Sequence, residues 1–143
     1  MLILVFARYI KLPDVPNPAK PLICICTAPT SLVIAGYIQS VTPKNLTLLI
    51  VLWVVASVLF VFALFKAITY LSLPFFPSYA AWTFPFVITA IASKQLMACA
   101  AKMEHPLPFL KPIVLIETII ACVFMIYVFI RYLIFLFSAP KKA

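Results

Sequence analysis

Glycine is almost missing from this chain of 143 residues: Gly36 stands alone against 13 prolines. That scarcity excludes the glycine-rich loops that cradle nucleotide phosphates. It also argues against a transmembrane β-barrel, which needs many short alternating strands joined by turns. Acids are nearly as rare, with only Asp14, Glu104 and Glu117, and His105 is the single histidine. General acid–base catalysis needs such groups in pairs or in contact. The sequence holds no carboxylate pair, catalytic triad or His–Cys arrangement, so the expectation is a protein that is not an enzyme and has no cofactor. Of the four cysteines, Cys24 and Cys26 form a C-x-C inside an apolar run, while Cys99 and Cys122 stand apart. A zinc site takes about four ligands with ionised thiolates. The cysteines are therefore read as small packing residues, with no metal expected.

Hydrophobic residues make up 66% of the chain and charged residues 10%, whereas a soluble domain carries about a quarter charged residues. Mean hydropathy is +1.22. The composition predicts an all-α integral membrane protein whose main partner is the lipid bilayer. The net charge of +8 does not point to nucleic acid, because no basic patch is interleaved with aromatics. The basic residues instead flank apolar runs, where they orient a membrane protein.

Four apolar runs are long enough to cross a bilayer, which takes about twenty residues. They cover approximately residues 22–39, 46–71, 79–101 and 112–137. Asn45 is placed to cap the second run, and Pro112 suits a first helical turn. Residues 1–7 are apolar but too short to cross, and read as the last turns of a truncated helix. Residues 8–20, with three prolines, read as a polar linker, and residues 139–143 as a basic tail. Arg8, Lys11, Lys20, Lys66, Arg131, Lys141 and Lys142 fall toward one side of the bilayer. Lys44, Lys94, Lys102 and Lys111 fall toward the other. The positive-inside rule then puts the linker and the C-terminus in the cytoplasm of a cell inner or plasma membrane.

Spans one and three carry features that spans two and four lack. Pro29 and Pro85 lie early in their helices, where proline deletes a backbone hydrogen bond and displaces the carbonyl four residues earlier. Around them sit Thr27, Thr30 and Ser31 in span one. In span three, Trp82, Phe86, Thr89 and Ser93 recur with 4-3-4 spacing, which makes one helical face. The alternation suggests inner helices one and three lining a pathway, with plainer outer helices two and four. Packing kinks and hydroxyls that glue helices together are the simpler alternative. Glu117 and Lys94 lie within spans and are functional candidates for that reason. They could pair; snorkelling of each to the interface is the more economical reading.

Two stretches resemble the tellurite-resistance/dicarboxylate transporter family, which includes malic-acid transporters and the slow-type anion channels of plants. One runs from Lys20-Pro21-Leu22 through Ala28-Pro29-Thr30-Ser31-Leu32, like the family's seventh helix with its Ala-Pro. The other is Ala81-Trp82-Thr83-Phe84-Pro85-Phe86, like the start of its ninth, with a shorter spacing after the tryptophan. The resemblance implies helices seven to ten of a ten-helix bundle, in which five hairpins surround a pore lined by the odd-numbered helices. It implies that Pro29 and Pro85 shape a path for small anions such as C4-dicarboxylates, tellurite or inorganic anions. It further implies a homotrimer for the full-length form. The family's gating phenylalanine lies on its fifth helix, which has no counterpart here. The alternatives to a transport segment are a small non-transporting membrane subunit and an inactive gene remnant.

Overall fold

The computed structural model describes residues 16–71 and 76–138. The truncated-helix reading of residues 1–7, most of the linker and the basic tail lie outside the described residues. A 3-10 helix, Asn17–Thr27, runs directly into α1, Ala28–Ser40. It opens inside the segment read as a linker. Helix α2 spans Leu46–Tyr70. A second 3-10 helix, Pro77–Trp82, runs into α3, Thr83–Lys102, and α4 spans Leu110–Ser138. The result is four candidate spans, Lys20–Ser40, Leu46–Tyr70, Pro77–Lys102 and Leu110–Ser138, each long and apolar enough to cross a membrane.

The prolines work differently from an interior kink. Each broken span is a 3-10 helix up to the proline region and an α-helix beyond it. Pro29 sits at the start of α1, a position where its missing N–H is not needed. The Ile25 carbonyl, which an α-helix would have offered to residue 29, accepts from the Ala28 N–H instead. Hydroxyls fill in around both junctions. Thr27 donates to the Cys24 carbonyl at 3.1 Å, Thr30 to that of Thr27 at 3.2 Å, and Thr83 to that of Ala80 at 2.8 Å. The carbonyl that Pro29 would expose is therefore satisfied within span one, and beside Pro85 the Ala80 carbonyl accepts from both the N–H and the hydroxyl of Thr83.

Helix ends follow local rules. The Asn45 side chain accepts from the Leu48 N–H at 3.2 Å, as its N-cap position predicts. At the far end of α3, the His105 N–H reaches the Ala100 carbonyl at 3.1 Å and the Glu104 N–H that of Ala101 at 3.3 Å. These two bonds form a Schellman motif, which puts Glu104 in the left-handed region at φ 59°. Glycine is the usual residue there.

Burial separates the spans as the alternation predicts. The fraction buried is 39% and 50% for spans one and three, but 22% and 28% for two and four. Spans one and three pack on each other and form the centre; α2 and α4 flank them. Two apolar clusters divide the interior. One is aromatic, built on Phe60, Tyr79, Trp82, Phe86 and Phe124, with Cys24 and Ala63 at its edge. The other is aliphatic, built on Ile34, Leu49, Leu96 and Leu110. The outward faces carry large apolar residues such as Phe65, Val58, Leu115 and Phe129.

Replacing Glu104 with glycine removes the left-handed penalty at little other cost. We expect Glu104→Gly to stabilise the fold by about 0.5–1 kcal/mol. It should raise the thermal midpoint followed by circular dichroism in detergent; an unchanged or lowered midpoint would show that the strain is absent.

Candidate functional site

Between the two apolar clusters lies a layer of polar side chains, with a contribution from every span. Span one supplies Thr27 and Ser31, and α3 supplies Thr89 and Ser93, all essentially without exposed surface. In sequence each pair falls between a residue of the aromatic cluster and one of the aliphatic cluster. Cys24 and Ile34 bracket the first pair; Phe86 and Leu96 bracket the second. The hydroxyls of Ser31 and Thr89 meet at 2.9 Å and join the two broken spans. Thr89 already donates to the Pro85 carbonyl at 2.8 Å. Ser31 is therefore the donor in the pair, its other acceptor, the Thr27 carbonyl, being at 3.4 Å.

The flanking helices close the layer. Trp53 of α2 donates its indole N–H to the Ser93 hydroxyl at 2.9 Å. The Glu117 carboxyl on α4 comes close to the same hydroxyl. Glu117 is only 4% exposed, and its second carboxyl oxygen is buried with no partner. Neither snorkelling nor a pair with Lys94 describes this residue. Lys94 is exposed, because its position next to Ser93 points it away from the face that meets α4.

Thr27, Ser31, Trp82, Pro85, Phe86, Thr89 and Ser93, all expected to line a pathway, are buried, and Ser31 and Thr89 meet across the seam between spans one and three. Pro29 is exposed and Thr30 half-buried, so these two lie off that seam. The buried set faces packed side chains. Phe86 stacks on Phe124 at 4.8 Å, and Trp82 meets Phe124 edge-on at 5.8 Å and Tyr79 at 4.2 Å. Tyr79 donates its hydroxyl to the Tyr70 carbonyl at 2.5 Å, tying the aromatic end to α2. Cys24 is a packing residue, as expected. Its thiol approaches the Ala63 carbonyl at 3.6 Å, a contact that Ala63, fully buried and small, permits.

At the opposite end, α1, α3 and the loop after α1 enclose a cleft of about 350 Å³. It is lined by Gln39, Lys44, Gln95 and Lys102, with Ile38, Ala98, Cys99 and Met103. The Gln95 side-chain oxygen is buried without a partner. Two ammonium groups favour an anion. The C-termini of α1 and α3 oppose them, each with about half a negative charge, leaving roughly one net positive charge. Ile34 and Leu96, both fully buried, lie between this cleft and the polar layer in their helices.

Sequence reasoning found the hydroxyl face but missed Trp53 and the cleft. An indole N–H in an otherwise apolar helix needs a partner, and that signal was available. The cleft had none, since it needs three chain segments to converge.

The Ser31–Thr89 contact is testable by a double-mutant cycle of Ser31→Ala and Thr89→Ala. Hydroxyl contacts between membrane helices average about 0.6 kcal/mol and reach about 1.7 kcal/mol. We expect a coupling in that range, read from unfolding in mixed detergent; additive effects would mean the two hydroxyls do not interact.

No protein-family model matches the chain, and neither the curated proteins nor the solved structures contain a significant match.

Proposed function

We propose that this chain is an integral membrane segment of a protein that passes small anions, such as C4-dicarboxylates or inorganic anions, across a cell inner or plasma membrane. The observation that carries this reading is the seam between spans one and three. Two helices that both change from 3-10 to α beside a proline pack together there, with hydroxyls between them. Helices that serve only as anchors have no need of a buried hydroxyl layer. The basic cleft at one end of the seam supports an anion as the solute, since charged rings and basic mouths select ions by sign. Charge placement supports the cleft facing away from the cytoplasm. The resemblance to dicarboxylate transporters and slow-type anion channels points the same way and adds a homotrimer as the proposed assembly.

The seam is closed within this chain. Ile34 and Leu96 form an apolar constriction between cleft and polar layer, the kind that gates by excluding water. Passage then requires that α1 and α3 separate at this level. The sealed seam and the broad apolar surface of α2 and α4 favour a second reading, a small membrane subunit that binds a larger membrane partner. A stable stoichiometric partner co-purifying in mild detergent, with no anion flux from the complex, would establish it.

The test is uptake of radiolabelled succinate and efflux of chloride in proteoliposomes holding the protein as the cell produces it. Leu96→Ala should widen the constriction and raise flux, and Pro85→Ala should change it. Lys44→Gln with Lys102→Gln should lower it most at low ionic strength, because exposed charges are screened beyond about 8 Å at physiological salt. Flux that none of these substitutions alters would overturn the reading.

A further inference from the structure

The Glu117 carboxyl has no role in the packing just described, and its surroundings define what it can hold. Helix α4 packs against α3 and against the 3-10 segment Pro77–Trp82. From α3 the group that meets the carboxyl is Ser93; Lys94 on the same helix is exposed. The ionisable residue of the 3-10 segment is Tyr79, whose hydroxyl is committed to the Tyr70 carbonyl in the aromatic cluster. On α4 itself, Lys111 is exposed near the helix start and Arg131 lies far along the helix on the other side of Glu117. Among the described residues no charged group interacts with the carboxyl.

An ionised carboxylate without a counter-charge is costly in an apolar interior. A metal ion would need about six oxygen ligands, and beside the carboxyl itself Ser93 supplies one. A proton needs no further ligand. The hydrogen-bond directions leave a place for it. Trp53 donates to Ser93, so the Ser93 proton is free to point at one carboxyl oxygen. The other oxygen, Oε2, is buried and unpartnered.

We propose that Glu117 is a proton-binding site in the polar layer, carrying its proton on Oε2 while the seam is closed and exchanging it with water when the seam opens. Opening at Ile34 and Leu96 admits water from the cleft. The Oε2–H bond breaks, the proton passes to that water as hydronium, and the carboxylate left behind is solvated. Closure reverses each step. The use of this proton in anion movement rests on the transport reading above; the site itself does not.

Infrared difference spectroscopy on the purified protein in detergent tests the site without any flux. We expect a protonated-carboxyl band at neutral pH that is lost in Glu117→Gln and lost from the wild type on alkaline titration. Ser93→Ala should shift that band by removing the hydroxyl beside the carboxyl, while leaving it present. A missing band, or one that survives in Glu117→Gln, overturns the proposal, and so does a band that no alkaline pH removes. Succinate uptake under an inwardly acid gradient tests the link to transport. Acceleration in the wild type that is lost in Glu117→Gln supports it. Uptake indifferent to the gradient refutes the link and leaves the transport reading intact. Absent uptake refutes the transport reading, while the infrared result still decides the site.

Discussion

Satisfying polar groups inside an apolar envelope is the constraint on which the rest of this structure depends. The outward faces of α2 and α4 are largely apolar, so hydroxyls, indole N–H groups and carbonyls exposed by a helix break depend on partners within the bundle. The Trp53 indole finds one in Ser93, while that of Trp82 is buried without one. Small residues make this workable. Ala63 and Cys24 let span one approach α2 closely, and Ser31 with Thr89 does the same between α1 and α3. The same side chains that permit close approach also supply the pairing. A larger residue at Ser31 or Thr89 would separate the broken helices and leave Trp53, Ser93 and Glu117 without a closed layer around them.

The proline junctions show how local chemistry sets this up. A proline deep in an α-helix would leave its carbonyl partner facing neighbours that cannot answer it. Here the turns before Pro29 and Pro85 adopt 3-10 geometry, which gives the Ile25 carbonyl the Ala28 N–H as donor and the Ala80 carbonyl that of Thr83. Threonines at 27, 30 and 83 add hydroxyl donors to the tightened turns. The tighter 3-10 winding also changes the angular step per residue. The face presented by Cys24 and Tyr79 is thereby rotated relative to that presented by Ser31 and Thr89. One continuous span can then contribute to the aromatic cluster with one part and to the polar layer with the other.

Much of this was legible in the sequence, for physical reasons that differ by residue. The four spans follow from length and hydropathy, and the Asn45 cap follows from its place before an apolar run. The inward face of Trp82, Phe86, Thr89 and Ser93 follows from helical periodicity alone. Glu117 did not follow. Depth along a helix near its end suggests snorkelling, and only the rotation of α4 about its own axis, fixed by Leu110, Val114, Ala121 and Phe124 packing inward, turns the carboxyl toward Ser93. Periodicity could have shown that Glu117 shares a face with those residues, but an acid on an apolar face reads as an exception until its partner is known. Pro29 marks the junction between the 3-10 helix and α1, and its ring is exposed.

The two ends of the seam are sealed by unequal means, and that asymmetry favours one direction of opening. The aromatic end is held by four ring contacts, Phe60 on Phe86, Phe86 on Phe124, Trp82 on Phe124 and Tyr79 on Trp82, with centroids 4.2–5.8 Å apart. Such pairs contribute about 0.5–1.5 kcal/mol each beyond the apolar area they bury, and the Tyr79 hydroxyl bond adds to them. The cleft end relies on Ile34 and Leu96 with small neighbours such as Ala92, and the cleft brings water close to it. Separating α1 from α3 there breaks apolar contacts alone. At the aromatic end α3 is held to α2 and α4 by that stack, so it is braced there against moving away from span one. The polar layer is therefore reached more cheaply from the side of Lys44 and Lys102 than from the side of Tyr79.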